Sequence, residues 1–253
     1  MSQFDAFARY YDADYGAIVE DLPFYRELAR RCGGRVLEVM CGSGRLLAPL
    51  AEAGLRVAGI DISGGMLARA RARLQAAGLL DRVELVEGDI CACAPQGPFG
   101  LAIVAINSFM HLPGSAEQLA ALGRIHDALR PGGTLALDLF NPDVRTLAEQ
   151  NGVLALDKTL LLADGTRVHK FVAQHADMAT QTNHVTFFYD ELDTAGRVTR
   201  CALPFSMRWL YRFELEHLLE RAGFMLEQVY GSYDLDTYHS ASELMLAVAR
   251  KRS

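Results

Sequence analysis

Residues able to do chemistry stand at the ends of apolar runs in this chain. In VLEVMCGSGR, residues 36–45, an acid, Glu38, lies within such a run and Gly42-Ser43-Gly44 follows it. Glycines let a backbone turn sharply and approach a ligand closely, and a helix starting behind them presents unpaired amide groups. Asp61 ends the next run about 20 residues later, where a carboxylate can accept both hydroxyl protons of a ribose. Asp89, in Val86-Glu87-Gly88-Asp89-Ile90, ends a third run and suits the amino edge of an adenine. Ligands of open α/β sheets bind outside the carboxyl ends of the strands, so the three ends would converge on one adenosine. Taken singly, each has a plainer reading: a tight strand-to-helix turn for the glycines, a helix-capping acid for Asp61. His111, in Ser108-Phe109-Met110-His111-Leu112, is a candidate proton acceptor, because an imidazole of pKa about 6.5 takes up protons near neutrality. A hydrogen-bonded structural histidine is the alternative. Asn107, just before it, either contacts the ligands or stabilises a turn.

Competing chemistries lack residues they need. A dinucleotide fingerprint requires glycine or alanine three positions after Gly44, and Leu47 stands there. The glycine turn carries no Lys-Ser/Thr pair for a nucleoside triphosphate, and Ser43 lacks the flanks of a nucleophile elbow. The site therefore suits an adenosine without a pyrophosphate, with a nicotinamide oxidoreductase kept as the alternative. No metal site is expected, since Cys91 and Cys93 have no further cysteine or histidine cluster nearby.

The elements that must position these residues follow from periodicity. Strand-length apolar runs alternate with helical spacing from Arg35 to Phe140, the rhythm of parallel strands joined by crossover helices. Strands are expected at Arg35 to Val39, Leu55 to Ile60, Val83 to Glu87, Phe99 to Ile106 and Thr134 to Phe140, the last after a break at Pro131-Gly132-Gly133. Ser63 is the expected N-cap of a helix that ends near Gly78. The pattern changes between about Val153 and Arg208, where antiparallel strands are expected around Leu160, Val168 to His175, His184 to Tyr189 and Val198 to Met207. Asp164-Gly165 and Ala195-Gly196 are hairpin turn signals between them. A helix from Phe213 to Ala222 and strands at Phe224 to Tyr230 and Glu243 to Ala249 close the chain. The fold class is thus α/β, a mostly parallel sheet with helices on both faces and an antiparallel β insertion. Its parts are 1–150, a helical lid with the nucleoside-binding core; 151–210, the insertion serving as cap, substrate region or dimer contact; and 211–253, which completes the core sheet. Arg208, Trp209 and Tyr211 precede the last helix, and Tyr230, Tyr233, Tyr238 and His239 cluster after it, as candidates to frame a substrate pocket or as core and dimer contacts.

A chain of 253 residues can bury a large core without staples. Its five cysteines are odd in number and irregularly spaced, which suits reduced thiols in a cytoplasm. The start, MSQFDAFARYYDADYG, has acids and aromatics where a signal peptide needs a basic then an apolar stretch, and no run reaches the roughly 20 apolar residues of a membrane span. A formal charge of −6 argues against a nucleic-acid partner, and Arg69 to Arg73 reads as a solvated helix face. A monomer and a homodimer paired through insertion strands are both compatible with the chain.

The order of these pieces resembles the class I S-adenosylmethionine-dependent methyltransferases along almost the whole length: VLEVMCGSGR, GIDIS with Gly65-Met66-Leu67, VEGDI, INSFMHL, LRPGGTLALDLFNP, and the closing helix and strands. The resemblance implies S-adenosyl-L-methionine as cofactor, S-adenosyl-L-homocysteine as product, and a seven-stranded Rossmann-like sheet ordered 3-2-1-4-5-7-6 with the seventh strand antiparallel. It also implies that Glu38, Gly42 and Gly44 shape the methionine side of the pocket, that Asp61 binds ribose, that Ile62 and Met66 flank adenine, and that Asp89 and Ile90 read its edge. RYYDADYG and the insertion look like the subgroup of bacterial sugar N-methyltransferases and related small-molecule enzymes. By that likeness Tyr11 or Tyr15 reaches cofactor and substrate and His111 serves the chemistry, with aromatic faces favouring the sulfonium cation. The acceptor is a small molecule offering nitrogen or oxygen. Met40 departs from the pattern, standing beside the cofactor's methionine portion where the family has glycine; a non-methylating cofactor binder is therefore a further reading.

Overall fold

Alternation with a period of two runs through the central strands and divides their side chains between two faces. In the computed structural model, which describes residues 3–252, this alternation builds two cores on one sheet. A 3-10 turn (Gln3–Phe7) and helices α1 (Ala8–Tyr15) and α2 (Leu22–Cys32) lead into β1 (Arg35–Val39), followed by α3 (Leu47–Glu52), β2 (Val57–Asp61), α4 (Gly64–Ala76) and β3 (Val83–Glu87). Then come β4 (Phe99–Val104), a 3-10 turn (Ser108–His111), α5 (Ser115–Ala128), β5 (Leu129–Phe140) and α6 (Val144–Glu149). The insertion is β6 (Leu154–Leu161), β7 (Arg167–Asp177), β8 (Thr182–Leu192) and β9 (Val198–Arg208), and the chain closes with α7 (Arg212–Arg221), β10 (Phe224–Tyr230) and β11 (Leu244–Lys251).

The main sheet has seven strands in the order β3-β2-β1-β4-β5-β11-β10, with β11 antiparallel to both neighbours, which is the order the resemblance implies. Leu37, Val39, Ala102 and Val104 pack on one face with Leu122 and Ile125 of α5 and Leu215 and Leu219 of α7. Val36, Leu101 and Ile103 pack on the other with Tyr25 of α2, Leu47 and Leu50 of α3, and Leu67 of α4. Each valine, leucine and isoleucine among them, fully buried, stabilises the fold by about 1.5–3 kcal/mol. Ser63 caps α4 as expected, its Oγ accepting the Met66 N–H at 3.1 Å.

Several strand boundaries differ from the sequence reading: the second strand runs Val57–Asp61 and the last Leu244–Lys251, and two further differences lie beside the site. The fourth strand stops at Val104, because Ile106 and Asn107 take left-handed φ values of 48° and 57°. That region is costly for a β-branched residue, and local bonds hold it: Ile106 N–H donates to Asp138 Oδ2 at 2.9 Å, Asn107 N–H to the Asp138 carbonyl at 3.0 Å, and Phe140 N–H to Asn107 Oδ1 at 2.5 Å. The fifth strand, by contrast, starts early at Leu129. Pro131-Gly132-Gly133 is absorbed as an irregularity in β5, where the pairing shifts between Phe99↔Leu129 and Leu101↔Thr134.

The insertion forms its own antiparallel sheet, β6-β7-β8-β9, with Gly165 and Gly196 at φ of 84° and 78° in its turns. One of its faces carries Leu160, Val168, Val185, Tyr189, Leu203 and Phe205, and it buries Phe7 and Tyr10 of the N-terminal segment. Tyr10 stacks on Tyr189 with centroids 4.0 Å apart and planes 3° apart. The N-terminal segment is thereby packed on the insertion as well as on the core. Among the described residues no helix is long and apolar enough to cross a membrane, and all five cysteines are free thiols.

Candidate active site

The carboxyl ends of β1, β2 and β3 meet at the mouth of one cavity of about 370 Å³. Asp61, ending β2, is buried and turns both oxygens to the neighbouring backbone, accepting Gly42 N–H at 2.8 Å and Ser63 N–H at 2.8 Å. Burial raises its pKa, and those two backbone donors oppose the rise. Each carboxylate oxygen keeps a second lone pair, so ligand hydroxyls can still donate to it. Asp89 stands just past β3, its Oδ1 accepting Cys91 N–H at 2.9 Å, with Ile90 buried beside it and Ile62 exposed on the facing turn. Gly42 has φ of 54°, and a Cβ there would lie 3.3 Å from Met66 Cε and 3.7 Å from the Tyr11 ring, so only glycine keeps this turn open under the aromatic ring. Met40 also takes a left-handed φ, 56°, a conformation that costs a non-glycine residue about 1–3 kcal/mol. Glu38 lies behind these residues rather than on the cavity wall. Its pKa is pushed up to about 8 by burial, against the pull of Arg45, and its Oε2 is buried with no partner among the described residues. Gly44 is likewise off the wall, seated against Ala70 and Leu47.

The N-terminal segment is tied over this turn by charge. Asp12 accepts Ser43 Oγ–H at 2.6 Å, Arg69 Nε–H at 2.8 Å and Arg73 at 2.7 Å. The stretch Arg69 to Arg73 is therefore not the plain solvated face expected of it: Arg71 is exposed, while Arg69 and Arg73 reach back to α1. Ser63 Oγ–H and Gly65 N–H donate to Asp5 Oδ1 at 2.6 and 3.1 Å, fixing the segment to the start of α4. Below, Asp21 pairs with Arg45 at 2.5 Å, both almost fully buried. Tyr11 and Tyr15 then lie over the cavity, stacked 5.0 Å apart, and burial raises both phenol pKa values.

At the opposite wall, His111 meets Phe4 edge-on at 5.1 Å and Phe205 at 5.4 Å. Burial lowers its pKa to about 4, opposed by the Ser206 backbone, and its Nδ1 has no partner among the described residues. Burial thus makes the imidazole a weaker proton acceptor than the base poised near neutrality that the sequence suggests.

Of the residues singled out in the sequence, Tyr11, Tyr15, Met40, Gly42, Asp61, Ile62, Met66, Asp89, Ile90, Asn107 and His111 line this one cavity. The proposed frame of a substrate pocket does not. Arg208 is held by Glu214 at 2.6 Å and Gln118 at 3.2 Å, and Trp209 is wholly buried in the core under α5 and α7. Tyr211 is the exposed N-cap of α7. Tyr233 donates to Asp138 Oδ2 at 2.6 Å, and Tyr238 to Asn141 Oδ1 at 2.6 Å. The polar groups of Arg208, Tyr233 and Tyr238 serve the fold, while Trp209 Nε1 is buried with no partner among the described residues. The wall is made instead by Phe4, Phe7, Phe187, Phe205 and Met207, which the sequence reading passed over. Strand alternation does put Val185, Phe187 and Tyr189 on one face, but the opposite face holds Phe171 and Phe188 under Arg200, so period alone cannot choose the inner face.

S-adenosylmethionine fits these residues on two observations: the carboxylates of Asp61 and Asp89, at adjacent strand ends, both line the one cavity, and the open turn at Gly42 is a place a Cβ would fill. The geometry is that of a nucleoside site at the carboxyl edge of a doubly wound sheet. Residues 36–133 match a methyltransferase domain. The cypemycin N-terminal methyltransferase of a Streptomyces species is 31% identical over 224 residues, covering 87% of this chain and 84% of that one. In fold, the chain is similar to the CcbJ methyltransferase from Streptomyces caelestis, with a TM-score of 0.77, 23% identity and 96% of each chain covered. It is similar also to the sugar N-methyltransferase KedS8 from Streptoalloteichus, with a TM-score of 0.75, 21% identity, and 99% and 93% covered. The chain belongs to the class I S-adenosylmethionine-dependent methyltransferase family, which answers the nicotinamide alternative.

Proposed function

We propose that the chain methylates a nitrogen or oxygen of a small molecule and releases S-adenosylhomocysteine. The observation that carries this reading is the meeting of Gly42, Asp61 and Asp89 on one cavity whose far end lies among His111, Phe187 and Phe205. The relative that is a cypemycin N-terminal methyltransferase, and the fold neighbour that is a sugar N-methyltransferase, support acceptors presenting nitrogen. When bound, S-adenosylmethionine supplies a methyl group already activated by its positively charged sulfur. What remains for the protein is to hold donor and acceptor in line, and such positioning carries most of the acceleration. In this reading Asp61 takes the ribose hydroxyls, Asp89 and Ile90 the edge of adenine, Ile62 and Met66 its faces, and Glu38, Met40 and Gly42 the methionine portion. Tyr11 and Tyr15 exclude water and present aromatic faces to a cation. Asn107 and His111 border the acceptor, with His111 accepting a hydrogen bond from it. Residues 1–150, 151–210 and 211–253 act together, the insertion and the N-terminal segment closing the cavity over the core. Free thiols support a cytoplasmic setting, and the outer strands β6 and β9 offer the edges by which a homodimer would form.

Incubation with methyl-labelled donor across amines, phenols and sugars tests the reading. Labelled product with stoichiometric S-adenosylhomocysteine is expected. Tight cofactor binding without turnover across the panel would point to a cofactor binder that no longer methylates.

A further inference from the structure

The cavity is chemically divided. Its carboxylates, Asp61, Asp89 and Glu117, belong to the strand ends and the start of α5. Among the described residues, the wall made by the N-terminal segment and the insertion has none. There Phe7 lies 5.6 Å from Phe205 and 6.0 Å from Phe187, Phe187 and Phe205 meet at 4.8 Å and 76°, and Phe4 joins Phe7 to His111. The Lys170 ammonium sits 3.8 Å from the Phe187 ring centre but is engaged by Asp14 at 2.7 Å and Asp157 at 2.9 Å, and does not line the cavity.

We propose that the methyl acceptor is a weakly basic amine carried on a flat apolar ring system, its ring seated among Phe4, Phe7, Phe187 and Phe205; this rests on the methyltransferase reading above. Ring faces and edges suit a planar apolar guest. A polyhydroxylated amino sugar would leave hydroxyls unpaired against these rings, each at a loss of about tenfold or more in affinity. An alkylammonium has no free lone pair until it surrenders a proton, which His111, held near pKa 4, is too weak to take. A phenol must surrender its proton, and the one imidazole on this wall, held near pKa 4, is too weak to take it. An arylamine arrives neutral with its lone pair available, and one N–H can donate to the unpartnered Nδ1 of His111. That lone pair forms the new carbon–nitrogen bond as the methyl carbon–sulfur bond breaks, its electrons passing to sulfur, and the ammonium so formed sheds its proton to His111 or water.

Equilibrium titration of the protein saturated with S-adenosylhomocysteine, using aminonaphthalene and glucosamine as probes, tests this. Aminonaphthalene is expected to bind about tenfold or more tighter than glucosamine, and Phe205→Ala to weaken it by about tenfold, with Phe205→Leu, which keeps the core filled, intermediate. Equal or tighter binding of glucosamine, binding of neither probe, or unchanged aminonaphthalene affinity in both variants would overturn the proposal while leaving methyl transfer standing. Failure of S-adenosylhomocysteine itself to bind would bring down both.

Discussion

Burial decides what each ionisable residue around the cavity can do. Asp61 keeps two backbone donors that offset part of its desolvation, whereas Glu38 has an oxygen without a partner and is pushed up to about 8. His111 goes the other way, to about 4, because charging a ring packed between Phe4 and Phe205 removes a cation from water. Its unfolded value is about 6.5, so between the two values the unfolded chain holds the proton and the native state does not. This contribution to stability is complete above about 6.5 and is lost as the pH falls toward 4. Urea unfolding at pH 7 and pH 5 is expected to show about 2 kcal/mol of acid loss that His111→Gln lacks. An equal loss in the variant would show that His111 is not the group held neutral. Types and spacings in the sequence were enough to find Asp61, Asp89 and His111, because strand ends are local features. The charge state of His111 was not legible, since Phe205 comes from a strand 94 residues away and only the folded chain supplies it.

At the scale of elements, α1 is held over the glycine turn by the half-exposed bonds of Asp12, and α2 by the buried pair of Asp21 and Arg45. The two ties should fail differently. Asp12→Ala is expected to cost only about 1 kcal/mol or less per pair in thermal or urea unfolding, yet to weaken S-adenosylhomocysteine several-fold in calorimetry, because Tyr11 and Tyr15 ride on α1. Unchanged affinity would mean that α1 needs no such clamp. Asp21→Ala strands a buried guanidinium and is expected to lose about 3–5 kcal/mol of stability; a loss below 1 kcal/mol would show that Arg45 finds water. Elements with clean periodicity, such as β1, β3 and β10, have the bounds their residues imply. The fourth strand was read too long because Ala105 and Ile106 are apolar, and nothing local reveals that Asp138, on the neighbouring strand, pulls Ile106 into a left-handed turn.

For the whole molecule, the sheet order is the one the family resemblance implies, but the way the N-terminal segment joins the insertion was not legible. Arg208 to Tyr211 looked like a pocket edge by composition, yet they serve as the root of α7, while aromatic residues from the N-terminal segment and the insertion build the wall. The proposed function depends on three strand ends gathering one adenosyl group. Calorimetric titration of S-adenosylhomocysteine into the native protein and Asp61→Asn measures this directly. One site per chain is expected, weakened about 10–100-fold in the variant by loss of charged hydrogen bonds to the ribose. No binding to the native protein, or equal affinity in the two, would contradict it.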